Sequence, residues 1–175
     1  MLVFFVDSEE EFALCPHCNS FLEYHCRIIR PLRDSSGAKN LYNIRVMKCC
    51  DESCPTNFHR ELPNIIIPYK RYSAESIEEV IEHRRSEITV AADESTIWRW
   101  RKWFKSSAVY IMMALFSVAA VNGESTNISS LEIQEKPIET IKRILARKIK
   151  WLNEAVKILV NSSKWVFNRS AFLSG

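Results

Sequence analysis

The spacing of apolar residues changes character along this chain, and each change marks a structural unit. Phe21 to Arg33 and Leu41 to Lys48 are rich in aromatic and β-branched residues, the composition of strands. Asp34-Ser35-Ser36-Gly37 lies between them and is a turn signal, so the two segments predict a β-hairpin. Pro63 and Pro68 flank Ile65-Ile66-Ile67, which marks a linker or short extended segment ending near Tyr72.

Beyond Ser73 or Ala74 the period becomes helical. Ile77, Val80 and Ile81 recur on one face, and Glu75, Glu78 and Glu79 stand near the start, where acids suit the positive end of the helix dipole. After a break at Thr89 to Ala92, Asp93 is a natural N-cap for the amide of Thr96. The helix that follows carries Ile97, Trp98, Arg99, Trp100, Arg101, Lys102, Trp103 and Phe104, and Ala108 to Val121 reads as a buried helix. A loop from Asn122 to Ser130 precedes Pro137 at a first helical position. Ile138, Ile141, Leu145, Ile149, Leu152, Val156 and Leu159 then form one stripe, and Arg143, Arg147, Lys150 and Lys157 another, which predicts one long amphipathic helix. The expected fold class is α+β: a strand-rich unit over 1–63, a linker over 64–72, a helical unit over 73–121, and a helix with its tail over 131–175.

Composition narrows the function. With 47% hydrophobic and 26% charged residues the chain reads as folded. Three glycines, at 37, 123 and 175, leave no phosphate-cradling glycine loop. The net charge of +3 is small, yet it is unevenly placed: Asp7, Glu9, Glu10 and Glu11 are acidic, whereas Arg99 to Lys105 and Lys136 to Lys164 are basic. Local charge governs contact with a polyanion, so these basic stretches are the candidates for touching phosphate. Leu2 to Val6 lacks the flanks of a secretory signal, and Ala108 to Val121 falls short of the roughly 20 apolar residues that cross a bilayer. The expectation is a cytoplasmic protein without membrane contact, whose thiols stay reduced unless a metal takes them.

The cysteines carry the sharpest chemistry. Cys15-Pro16-His17-Cys18 is one close pair, and Cys49, Cys50 and Cys54 form a second cluster beyond the hairpin. Four thiolates in two pairs suit tetrahedral zinc, and a hairpin between pairs is how a zinc ribbon brings its knuckles together. Cys15, Cys18, Cys49 and Cys54 are therefore the expected ligands of one structural zinc ion, with Cys50 as the alternative to Cys49 and with His17, His25, Cys26 and His59 in reserve. CPHC is also the pattern of a thiol–disulfide oxidoreductase, but that chemistry requires a strand-to-helix setting, and strand follows here. An all-cysteine site has no open position for water, and no catalytic triad is visible, so no enzymatic activity is expected.

Asp93 to Lys105 has the character of the recognition helix of a helix-turn-helix. With Ile97, Trp100 and Phe104 packed inward, Ser95, Thr96, Arg99 and Lys102 face outward, and Arg99 is placed to read guanine. Arg101 and Lys105 suit phosphates. The same periodicity describes an amphipathic core helix with a solvated basic face.

Taken together, CPHC, the hairpin, KCCDESC, HRELP, PYKRYS, DESTIWRWRKWF and NSSKWVFNRSAFLS resemble a bacterial family of unknown function often associated with insertion-sequence transposases. More distantly, the order of zinc knuckle and helix-turn-helix is similar to the small DNA-binding subunit of such transposases. The resemblance implies a zinc ribbon on Cys15, Cys18, Cys49 and Cys54 and a DNA-reading helix around Thr96 to Arg101. The expected function is a zinc-stabilised DNA-binding accessory or regulator of a mobile element. The competing expectation is an adaptor that binds a transposase, nuclease or polymerase-type partner, and a homodimer through the C-terminal helix fits either.

Overall fold

The computed structural model describes residues 3–6, 14–122, 136–146 and 148–166. The acidic run at Asp7 to Glu11, the stretch 123–135, Arg147 and the tail 167–175 lie outside the described residues.

The hairpin forms as β2 (Leu22–Arg33) and β3 (Lys39–Cys49), antiparallel, with Leu22 opposite Cys49 and Arg33 opposite Lys39. Its turn is held by Asp34, whose Oδ1 accepts from the amides of Ser36 and Ala38 at 3.0 and 3.1 Å. Gly37 takes φ +83°, a conformation that costs other residues strain, and a Cβ there would sit 3.3 Å from that of Ala91. The other edge of β3 receives two short strands: β1 (Val3–Val6), parallel, and β4 (Phe58–Arg60), antiparallel. Residues paired across strands share a face, so Ile28 and Leu32 lie beside Ile44 and Asn40, and Leu32, Ile44 and Val46 are buried.

The sheet is tied to the helices by backbone. Arg33 donates its amide to the carbonyl of Arg71, and Ser73 donates to that of Arg33, both at 2.8 Å. Ser73 then caps α1 (Ala74–Glu82) through its side chain. A connection over 83–93 with a short 3-10 turn leads to α2 (Glu94–Val121). Asp93 caps α2, accepting from the Thr96 amide at 2.7 Å and the Ser95 hydroxyl at 2.6 Å. Those hydrogen bonds hold its carboxyl down to about 2.

Two features differ from the sequence reading. The basic aromatic helix and the apolar helix after it are one continuous 28-residue element, because the Ser106-Ser107 joint contains no breaker. By length and composition this element could cross a membrane; here it is the central helix, with Trp100, Phe104, Ile111 and Leu115 buried against α1, α3 and α4. The single C-terminal helix expected over 131–175 is instead two, α3 (Pro137–Ile144) and α4 (Trp151–Asn161). Ala146 and Lys150 adopt positive φ between them. Tertiary contacts hold that break: the Glu78 carboxylate accepts from the Leu152 amide at 2.8 Å, Glu82 accepts from Trp151 Nε1 at 2.6 Å, and Glu75 pairs with Lys150. The first of these satisfies an amide that the start of any helix leaves unpaired.

Candidate metal centre

The first knuckle is a tight turn. The Cys15 amide donates to the carbonyl of Ser20, the Asn19 amide to that of Cys15, and Asn19 takes φ 59°, which asparagine tolerates better than most residues. The second knuckle follows the end of β3, where the Cys49 amide donates to Asn57 and the Cys54 amide to the carbonyl of Asp51. Asp51 fixes the loop by accepting from the amide and hydroxyl of Ser53.

These turns bring four sulfurs together. Cys15, Cys18, Cys49 and Cys54 place their Sγ atoms within 4.8 Å of one another. Cys15 is 3.8 Å from Cys54 and Cys18 is 3.5 Å from Cys49. Disulfide sulfurs are about 2.05 Å apart, so these are not bridges. A tetrahedral ion with arms of about 2.3 Å requires sulfur–sulfur edges of about 3.8 Å, and the observed distances fit it. Cys15, Cys49 and Cys54 are buried and Leu22 packs against them, while Cys50 is exposed and points out of the group. Cys26 is also outside it. The cluster can therefore hold a metal ion such as zinc.

The surroundings treat the thiols unequally. Hydrogen bonds with Ser20 bring Cys18 down to about 7, whereas burial pushes Cys49 up to about 12. A bound dication displaces such protons, so metal affinity falls as pH falls. His59 on β4 lies with Nε2 3.3 Å from Cys15 Sγ. Sequence reasoning held it only as a reserve ligand; the geometry makes it a hydrogen-bond partner of a ligand, a contact that orients the sulfur and tunes its charge. His17 and His25 are not in the cluster.

The predicted DNA-contacting residues do not all share one fate. Arg99, Lys102 and Lys105 are exposed on α2. Arg99 Nη2 donates to Ser95 Oγ at 3.0 Å, and the Lys102 ammonium lies 4.9 Å from the centre of the Trp98 ring. Ser95 and Thr96 are engaged with the Asp93 cap. Arg101 is turned inward: its Nε donates to the Val80 carbonyl at 3.1 Å and Nη2 to that of His83 at 2.7 Å, closing the C-terminal end of α1. The sequence reading placed Arg101 on phosphate; the structure engages its Nε and Nη2 with helix-end carbonyls, which interact favourably with a cation. Arg101→Ala is expected to lower stability by about 1–2 kcal/mol, with two charge-assisted bonds lost in a half-exposed place. Urea unfolding measures that loss.

The connection over 83–93 is longer than the 3–4-residue turn usual in a helix-turn-helix. Glu79 braces it, accepting from the amide of Thr89 at 2.6 Å and from its hydroxyl at 2.9 Å, and Arg85 pairs with Glu94.

Among known proteins, a family model described as a domain of unknown function (DUF6431) matches residues 15–100. The chain is similar to that family from the first cysteine of the cluster to Trp100 in α2, a span that takes in all four sulfurs. No curated protein matches the chain, and no solved structure does.

Proposed function

We propose that this protein is a non-enzymatic, zinc-stabilised DNA-binding protein, with a zinc ribbon formed by Cys15, Cys18, Cys49 and Cys54. The observation that carries the metal half of this reading is the four-sulfur cluster and its near-tetrahedral spacing. Four thiolates fill a tetrahedral ion, leaving no site for a reacting water, so the metal is structural and the centre does no chemistry. A cytoplasmic compartment keeps such thiols reduced and available.

The DNA half rests on the exposed basic face of α2. Arg99, Lys102 and Lys105 project from a helix whose other side is anchored in the core, so their cations are presented on a rigid support. The α1–α2 pair serves as an irregular helix-turn-helix with a long connection. Arg99 is the candidate base reader, and Lys102 and Lys105 position the helix on phosphate. The mobile-element setting rests on the motif resemblance and suggests terminal sequences of such elements as the first duplexes to offer.

A second reading, an adaptor for a protein partner, is favoured by a specific feature. Val109 and Met113 are 57% and 58% exposed four residues apart on the same helix, and so form an apolar patch on its outer side. Salt separates the two readings. Direct DNA binding weakens steeply with salt, and Lys102→Ala with Lys105→Ala should reduce the slope of log affinity against log salt by about 2. Arg99→Ala should cost about 1–3 kcal/mol and relax sequence preference. Fluorescence anisotropy across a salt series measures both, and a flat slope in the wild type supports the adaptor instead.

A further inference from the structure

A wide groove, about 1250 Å³ in volume, runs between the sheet and α4. One wall is β2 and β4, the other is α4, and the segment from Glu61 to Tyr69 contributes further lining. The Ser163 hydroxyl donates to the carbonyl of Pro16 at 2.7 Å, so the first cysteine knuckle is fastened to the end of α4 beside the groove. Small-molecule pockets occupy about 300–1,000 Å³. This volume suits a segment of polymer.

Its described lining is mainly cationic. Glu61 is the sole acid among the described lining residues, and both its carboxylate oxygens are taken by Arg45. Against it stand Arg30, Arg60 and Lys157. Arg30 is fixed by donating to the carbonyls of Ile67 and Lys70, each at 3.2 Å. Burial, and then the neighbouring charge of Arg60, depress its pKa, while Tyr69 acts in the opposite direction. Arg60 and Lys157 have no ion-pair partner among the described residues.

Two further observations define the occupant. Phe58, which packs on His25 with ring centroids 4.9 Å apart, and Tyr69 both line the groove and are 52% and 53% exposed, so part of each ring is open to an occupant. Asn153 also lines it, one helical turn before Lys157, yet is only 5% exposed, and its Oδ1 has no hydrogen-bond partner among the described residues. A buried amide oxygen left unpaired is costly, so a ligand that donates to it is strongly favoured. Alternating anions, stackable rings and exocyclic amines are the chemistry of a nucleic-acid strand with unpaired bases. An acidic peptide would meet the cations, but only one that also carries aromatic side chains would meet the rings of Phe58 and Tyr69.

We propose that this groove binds a short single-stranded nucleic-acid segment, with Arg60 and Lys157 on its phosphates, Phe58 and Tyr69 under its bases, and Asn153 accepting from a base amine. The site is separate from the basic face of α2 and stands independently of the duplex reading. The test uses zinc-loaded full-length protein and a fluorescein-labelled 12-nucleotide DNA strand of mixed sequence, read by anisotropy. Arg60→Ala combined with Lys157→Ala should weaken binding at least tenfold, and Lys39→Ala, an exposed cation outside both the groove lining and α2, should leave it unchanged. Asn153→Leu should weaken binding about fivefold without lowering the melting temperature, because it removes an unpaired acceptor; a purely structural asparagine would show the opposite pattern. No capture of the strand by wild type overturns the proposal. So does equal capture by the Arg60/Lys157 variant, or displacement of the strand by a glutamate–tyrosine copolymer at lower concentration than unlabelled DNA.

Discussion

Cys49→Ser is expected to release the metal and unfold the sheet while leaving the helices folded. The reason is the imbalance between the two halves. The buried apolar side chains of the sheet are few, chiefly Leu32, Ile44, Val46 and Met47, whereas the helices enclose Trp100, Phe104, Ile111, Leu115, Trp151, Leu152 and Leu159 together. A unit with so little core depends on a metal for its stability, and structural zinc contributes about 10–16 kcal/mol in small zinc domains. All five tryptophans lie at or beyond Trp98, and four of them are in α2 or α4, so tryptophan fluorescence reports chiefly the helices. Hydrogen exchange along β2 and β3 should accelerate by several orders of magnitude in Cys49→Ser or with chelator, with fluorescence nearly unchanged. Cys50→Ser, at an exposed position outside the cluster, should behave as wild type. Metal retention in Cys49→Ser would remove Cys49 from the ligand set, and metal loss in Cys50→Ser would add Cys50 to it. Acidification should mimic the chelator, since protons compete with the metal for each thiolate.

Trp151→Ala is expected to be the most damaging change in the helical half, at about 3–5 kcal/mol. Trp151 opens α4, is 2% exposed, and meets the ring of Phe104 edge-on at 5.5 Å. Its indole nitrogen donates to Glu82, which also pairs with Lys142, so one side chain joins α1, α3 and α4. Truncation leaves a cavity and loosens that junction. Trp151→Phe keeps most of the volume and should cost about 1–2 kcal/mol for the lost charge-assisted bond. Urea unfolding followed by circular dichroism measures both. A cost for Trp151→Ala under about 1 kcal/mol would mean that the site collapses around the void, contrary to the packing described.

The parts of the fold that were legible are those written in local chemistry. Asp34 to Gly37 declares its turn because an aspartate that accepts from amides two and four residues on needs no distant partner, and the flanking β-branched residues then pair. Asp93 is a cap for the same reason. The cysteine pairs were legible by spacing, although Cys49 and Cys50 could be told apart only once β3 set which side chain turns inward. What remained hidden depends on partners far away in sequence. β4 is three residues long and forms because β3 offers an edge. The apolar stripe from Ile138 to Leu159 carries no glycine or proline to stop it, and the break at Ala146 and Lys150 follows from Glu75, Glu78 and Glu82 on another helix. Arg101 reads as one more cation in a basic run until the end of α1 is seen beneath it. The groove and the orphan oxygen of Asn153 had no signal in the sequence, because each is made by elements from opposite ends of the chain.

X-ray absorption at the zinc edge, on protein purified with one equivalent of the metal, tests the central claim most directly. The account predicts a first shell of four sulfurs at about 2.3 Å and no nitrogen, with the same spectrum from Cys50→Ser. A shell of three sulfurs and one nitrogen would move His59 from partner to ligand, and a shell of oxygens would contradict the four-thiolate centre altogether.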